Sequence, residues 1–267
     1  MIAGLDHLVV AVNDIEAGMR AYELLLGVGS DAGHVRDGVA TALVATNNVA
    51  VELMAPIGES ESAQRLRAAL LDGGEGLKSL VFATRDIERM HRHAERVGLA
   101  PEPIQTREDW RSFRFSTVRT RGVRIFCMQR DMPLRTQTRG EPTCLGLDHI
   151  VVRTANCDAA AALYGARLGL DMRLDREVAG RRLMFFRCGD AIVEVAHEAG
   201  SYLAPDAFWG VSWRVSNADA SRARLHAAGL NVSQVRQGFK PGTRVFTVRD
   251  GTCGVPTLML ELSPKSG

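Results

Sequence analysis

The chain lacks a charge excess, a long apolar run and a cysteine framework, and each lack removes a class of function. Its 33 Lys and Arg stand against 31 Asp and Glu, a formal net charge of +2. There is therefore no basic stripe to track a phosphate backbone or an anionic membrane surface. No apolar stretch approaches the roughly 20 residues that a spanning helix needs. The first strand starts within five residues of Met1, leaving no room for a secretory leader, and a cytoplasmic protein is expected. The five cysteines, Cys127, Cys144, Cys157, Cys188 and Cys253, are odd in number and scattered. They suit neither a disulfide scaffold nor a CxxC metal knuckle and are expected to be reduced and structural. What remains is a globular protein with a small-molecule substrate, no nucleic-acid or membrane partner, and room for a homodimer. Its 46% hydrophobic residues are enough to fill well-formed cores.

What the chain has is repetition. Leu5-Asp6-His7-Leu8-Val9-Val10 returns as Leu147-Asp148-His149-Ile150-Val151-Val152. The offset, 149 − 7 = 142, also relates Tyr22 to Tyr164, Gly27 to Gly169 and Glu52 to Glu194. The chain is an internal duplication. Residues 5 to 12 read as a strand, and Asn13-Asp14 as the cap of a helix over Ile15–Leu26 closed by Gly27. Strands over Val39–Thr46 and Val49–Ala55 flank an Asn47-Asn48 turn signal. After an amphipathic Ala63–Leu71 the order restarts: strand Ser79–Thr84, helix Ile87–Val97, then strands near Phe113–Thr117 and Val123–Gln129.

The second half repeats this order, with a helix over Ala159–Leu168 and strands near Arg182–Arg187 and Ala191–Val195. Strand Trp209–Val215, helix Ala218–Ala228 and strands Arg244–Val248 and Thr257–Leu262 complete it. Two domains are expected, 1–130 and 145–267, joined by a linker over 131–144 in which Asp131 to Pro142 is polar and carries two prolines.

Period-2 alternation supplies a candidate site. Val49, Val51 and Leu53 make one face of their strand, and Glu52 shares the other with Ala50 and Met54. Leu258, Leu260 and Leu262 likewise make one face, and Glu261 shares the other with Met259 and Ser263. Both carboxylates are expected to point away from the helices. A carboxylate buried there is costly unless a cation or a donor meets it. A single strand histidine is ordinarily a satisfied core residue; the duplicated one, with a co-spaced Glu, points to a site.

Four strand-helix-strand repeats, each opened by a short first strand that carries Asp-His in two of them, resemble the vicinal oxygen chelate superfamily. Glyoxalase I, methylmalonyl-CoA epimerase, extradiol ring-cleavage dioxygenases and bleomycin- or fosfomycin-resistance proteins belong to it. The resemblance implies an α+β fold of four βαβββ modules, forming two glyoxalase-like domains with cup-shaped mixed sheets and outer helices. Through Val51-Glu52-Leu53-Met54-Ala55-Pro56 and Gly74-Glu75-Gly76-Leu77-Lys78-Ser79 the first half resembles methylmalonyl-CoA epimerase more closely, with Lys78-Ser79 where that family has His-His.

The resemblance also implies a divalent metal held by first-strand and last-strand ligands. The first-strand position falls on His7, Ser79, His149 and Gly210, and the last-strand position on Glu52, Phe126, Glu194 and Glu261. If consecutive modules pair, the set is His149, Glu194 and Glu261. If the first pairs with the fourth, it is His7, Glu52 and Glu261. On this count the site holding Glu261 is live and the one holding Phe126 vestigial. The ligands suit Mn, Co, Ni, Zn or Mg better than Fe, with Glu194 and Glu261 in catalytic roles.

The implied chemistry is an isomerase, epimerase or lyase step through an enolate on an oxo, hydroxy or thioester substrate. Extradiol ring cleavage is a rival, weakened by Gly210 at its second histidine. A non-catalytic binding or resistance protein is another. Arg214 and Trp209 are the candidate substrate-binding residues; Arg182, Lys240, Arg244 and His197 are weaker ones.

Overall fold

A computed structural model of the chain describes residues 1–31, 33–132, 134 and 144–262; most of the expected linker, and Ser263, lie outside them. Four polar side chains start the helices that open the repeats. Asp14, Asp86, Asn156 and Asn217 accept the backbone N–H three residues on, from Ala17, Arg89, Ala159 and Ala220, at 2.7, 2.8, 3.0 and 2.9 Å. Each satisfies a donor that the first helical turn leaves unpaired.

The first half runs β1 (Ile2–Ala11), α1 (Ile15–Leu26), β2 (His34–Arg36), β3 (Val39–Ala45), β4 (Ala50–Pro56) and α2 (Glu61–Gly73). It continues with β5 (Gly76–Thr84), α3 (Ile87–Arg96), β6 (Gln105–Thr106), β7 (Trp110–Arg114) and β8 (Ile125–Arg130). The second half runs β9 (Cys144–Thr154), α4 (Cys157–Ala161), β10 (Asp171–Val178), β11 (Arg181–Cys188) and β12 (Ala191–His197). It ends with β13 (Ala207–Val215), α5 (Ala218–Ala227), β14 (Arg236–Gln237), β15 (Thr243–Val248) and β16 (Thr257–Leu262). The sheet orders are β2-β3-β4-β1-β5-β8-β7-β6 and β10-β11-β12-β9-β13-β16-β15-β14. The two halves thus build the same eight-stranded mixed sheet, as the α+β reading requires.

Three elements depart from expectation. The helix expected over Ala159–Leu168 starts earlier, as α4, and widens into a π-helical turn over Ala162–Arg167. Strands β2 and β10 carry no apolar alternation that a sequence reading could use, because β2 is exposed throughout and β10 nearly so. Their pairing to β3 and β11 defines them.

Burial follows strand alternation. In β9 and β12 the side chains with no exposure are Leu147, Ile150, Val152, Val193 and Val195; the last four share one face, leaving His149 and Glu194 on the opposite one.

Backbone proximity groups the chain into two compact units. One comprises Met1–Leu8, Lys78–Pro133 and His149–Trp209, the other Val9–Leu77, Leu134–Asp148 and Gly210–Gly267. In the first, Arg167 donates to the carbonyls of Val97 (3.0 Å) and Gly98 (2.6 Å), just past the end of α3. In the second, Arg224 donates to the carbonyls of Leu24 and Leu25 at the end of α1, the latter at 3.0 Å. Both arginines satisfy acceptors that a helix C-terminus leaves open.

Candidate functional site

The four N-caps measure out the site positions. His7, Ser79, His149 and Gly210 each lie seven residues before their cap, so the first-strand assignment is in phase with the helices. Two residues further on come Val9, Val81, Val151 and Ser212. In the third repeat Val151 stands opposite Glu194. The residue opposite Val81 is Phe126, and the residue opposite Ser212 is Leu258. Register therefore gives the last-strand position of the fourth repeat to Leu258 and not to Glu261.

Glu261 stands three residues on, opposite Val215, on the strand face of Thr257 and Met259. That face is the buried one: Met259 is 1% exposed, and its cross-strand neighbour Trp213 is wholly buried. The Glu261 carboxylate accepts the Ala218 N–H at 2.7 Å, at the start of α5, and lies 3.5 Å from the Arg244 guanidinium. Gln129 does the same in the second repeat, accepting the Ile87 N–H at 2.9 Å at the start of α3. The sequence expectation that Glu261 faces away from the helices is corrected on this point, and with it the ligand count that set the two halves apart. By position, each half keeps one His and one Glu and has lost the second pair.

In the second half the retained pair is in contact. His149 Nε2 and Glu194 Oε2 are 3.5 Å apart, and the side chains are 18% and 15% exposed. Parallel pairing of β9 with β12 puts both on one face, with Val151 and Ile192 between and beside them. Phe185 lies across from Glu194, and the Arg176 guanidinium sits 5.9 Å from its ring centre.

In the first half His7 is drawn into a buried ionic cluster. Its Nδ1 is 2.6 Å from Asp6 Oδ1, and Arg130 Nε donates to both Asp6 oxygens at 2.9 Å. Burial pushes the Asp6 carboxyl up, but contact with His7 and Arg130 outweighs it and holds the group below its ordinary value.

The other candidates are placed as follows. Trp209 is half exposed, with the Arg153 guanidinium 5.8 Å from its ring centre. Arg214 shares a strand face with Gly210 and Ser212. Arg182 is engaged by Asp175 and Asp158, both at 2.7 Å. Arg244 pairs with Asp219 at 2.7 Å. His197 stands opposite Thr154, on the face away from Glu194. A cleft of about 660 Å³ between α1 and residues 247–257 contains none of these groups.

A model described as "Glyoxalase-like domain" matches residues 5–169, more than half of the chain. The chain belongs to the glyoxalase-like family. A second model, "Glyoxalase/Bleomycin resistance protein/Dioxygenase superfamily", matches residues 146–255. Among solved structures, a substituted 4-hydroxymandelate synthase from Streptomyces coelicolor is 14% identical over 100% of this chain and 95% of its own, with a TM-score of 0.75. BphC, a halotolerant catechol dioxygenase, is 14% identical over 98% and 87%, at 0.69. A Mn(II)-bound glyoxalase from Novosphingobium aromaticivorans is 15% identical over 97% and 82%, at 0.68. At such identities these share the glyoxalase-like fold alone. No curated protein matches the sequence.

Among the described residues, no group of three or more His, Cys, Asp or Glu side chains is placed to hold an ion. Protein-held ions ordinarily take three or more protein donors. A fourth-repeat histidine also has no room: a Cβ at Gly210 would lie 2.4 Å from the Pro256 carbonyl oxygen. The residues present do not fit a resident metal.

Proposed function

We propose that this glyoxalase-like chain binds a small oxygen-bearing organic molecule against the His149 face and exchanges a proton with it through His149 and Glu194. The observation that carries this reading is the 3.5 Å contact between imidazole and carboxylate, partly open beside Val151, Ile192 and Phe185 on a strand face that Arg153 and Arg187 share. Glu194 is the base, taking a proton from carbon beside a carbonyl. His149 is the donor, placing an N–H on the oxygen where charge develops. The apolar Val151, Ile192 and Phe185 side chains keep the dielectric low around both. The reaction class is isomerisation, epimerisation or a lyase step on an oxo, hydroxy or thioester compound.

The metal-dependent form of this chemistry needs a third donor, and Glu261 is engaged at α5. Extradiol cleavage needs a histidine where Gly210 has no room for one. A second reading, sequestration without turnover, is favoured by one observation: four of the eight ligand positions are Ser79, Phe126, Gly210 and Leu258.

The test is solvent deuterium exchange at the α-carbon of a panel of 2-oxo acids and acyl thioesters, followed by NMR. Exchange is expected with wild type in EDTA, and a loss of 100-fold or more in Glu194→Gln and His149→Ala. Binding without exchange would favour sequestration. Exchange that appears only with added Mn²⁺, Co²⁺, Ni²⁺, Zn²⁺ or Mg²⁺ would overturn the metal-free form.

A further inference from the structure

One arginine beside the His149–Glu194 pair has an unused hydrogen-bonding edge. Arg153 stands on β9 two residues after Val151, on the strand face that carries His149. Its Nη1 donates to Glu198 at 2.7 Å, and its guanidinium lies 5.8 Å from the centre of the Trp209 ring. Its Nε is buried and donates to nothing among the described residues. A guanidinium presents Nε–H and Nη2–H side by side, a fork that matches the two oxygens of a carboxylate. Because the bond to Glu198 is made through Nη1, that fork is left open. A buried donor without an acceptor destabilises the fold, so Arg153 calls for an acceptor that the chain itself does not supply.

The surroundings set this fork next to the reacting pair. Arg153, Ala196, Leu183 and Arg176 form one row across the sheet, and Val151, Glu194, Phe185 and Leu174 form the adjoining row on the same face. Arg153 and Val151 are thus about 7 Å apart along β9, and Val151 pairs with Glu194. The Arg153 side chain is 37% exposed, its neighbour across the sheet is the small Ala196, and of the two fork nitrogens only Nε is buried. A ligand can therefore come alongside it. Glu198 and Trp209 hold the guanidinium in advance, so little freedom is left to lose on binding. All of these residues belong to one compact unit.

We propose that Arg153 holds a second acid group of the substrate, a carboxylate a few bonds away from the carbon that gives up its proton to Glu194. The Nε and Nη2 hydrogens meet the two carboxylate oxygens, while Glu198 keeps its bond to Nη1; the five N–H groups of a guanidinium serve both acceptors. Ala196 and Leu183 form the apolar floor under the methylenes between the two ends. The substrate class is then a short 2-oxo diacid. The inference rests on the proposed function for the position of the reacting carbon and goes beyond it by naming the far end of the substrate.

The test titrates the whole chain calorimetrically with 2-oxoglutarate and with 2-oxopentanoate, which has the same carbon chain without the distal carboxylate, and follows deuterium exchange at C3 of each. Wild type is expected to bind the diacid roughly tenfold or more tightly than the monoacid. Arg153→Met keeps the stem of the side chain without its donors and is expected to bind the two acids alike. Arg153→Lys keeps the charge without the fork and should lose most of the preference. Arg176→Met removes the other arginine of the row and should retain it. Equal binding of diacid and monoacid by wild type would overturn the subsite, as would an undiminished preference in Arg153→Met or equal losses in Arg153→Met and Arg176→Met. Exchange of both acids by wild type with no diacid preference leaves the proton-transfer reading and removes the subsite. A diacid preference that Arg153→Met erases, with exchange of neither acid, keeps the carboxylate fork and removes the proton transfer.

Discussion

Replacing Glu261 tests whether this carboxylate belongs to a helix or to a metal. Its oxygen accepts the Ala218 N–H at 2.7 Å, while the cap Asn217 holds the Ala220 N–H, so two of the unpaired donors at the start of α5 have separate acceptors. Glu261→Ala removes one of them at a site where the side chain is only 17% exposed. A hydrogen bond to a charged group contributes about 1.5–3 kcal/mol, so a loss of about 2 kcal/mol is expected. For a chain of this size each kcal/mol moves the melting midpoint by about 2–4 °C, which predicts a fall of roughly 4–8 °C. Glu261→Gln keeps the acceptor, in the form Gln129 already uses at α3. It forfeits the charge–dipole attraction at the helix start, about 0.3–1 kcal/mol, and the 3.5 Å ion pair with Arg244. The assay is thermal and urea unfolding of both variants in EDTA and in added Mn²⁺. Equal losses in the two variants would refute the helix role, as would a Mn²⁺ stabilisation of wild type that Glu261→Gln abolishes.

Restoring the family's histidine at Gly210 should fail: Gly210→His forces a Cβ against the Pro256 carbonyl oxygen, 2.4 Å away. A loss of about 1–3 kcal/mol in urea unfolding, with no gain in bound metal, is the expected result. Asp6→Asn should destabilise at neutral pH by about 3 kcal/mol, since it breaks a buried ionic cluster. Asp6 is held below its ordinary value in the fold, so its contribution is present above the unfolded aspartate pKa of about 3.9 and is lost as pH falls through the lower folded value. Wild type and variant should therefore converge in acid, and a gap that stays constant with pH would count against the cluster.

Much of the architecture was legible because it is local. A cap, an apolar helix face and a β-branched strand recur at fixed spacing, so the positions of His7, Ser79, His149 and Gly210 could be placed without knowing how strands pair. The last-strand positions could not, because they depend on register between strands far apart in sequence. Leu258 and Leu260 read as core, yet Leu258 is partly exposed and lies opposite Ser212. Met259, grouped with Glu261 as facing outward, is buried. Strands β2 and β10, expected only as the third strand of their βαβββ modules, could not be given bounds because, pairing at sheet edges, they have little buried side to write an alternation into the sequence.

The arginines at the helix ends bear on how such a chain can evolve. Arg167 lies in the second half and serves carbonyls beyond α3 in the first; Arg224, also in the second half, serves those at the end of α1. The exchange is not one-sided, since His93 Nε2 in α3 donates to the Arg167 carbonyl at 2.9 Å. The first half's helices rely on side chains encoded 70 and 199 positions downstream. Recombination that swapped in a relative's second half would have to bring a donor at both positions, or leave two helices with unanswered carbonyls. A duplicated ancestor could shuffle its copies freely; this descendant inherits them as one heritable unit.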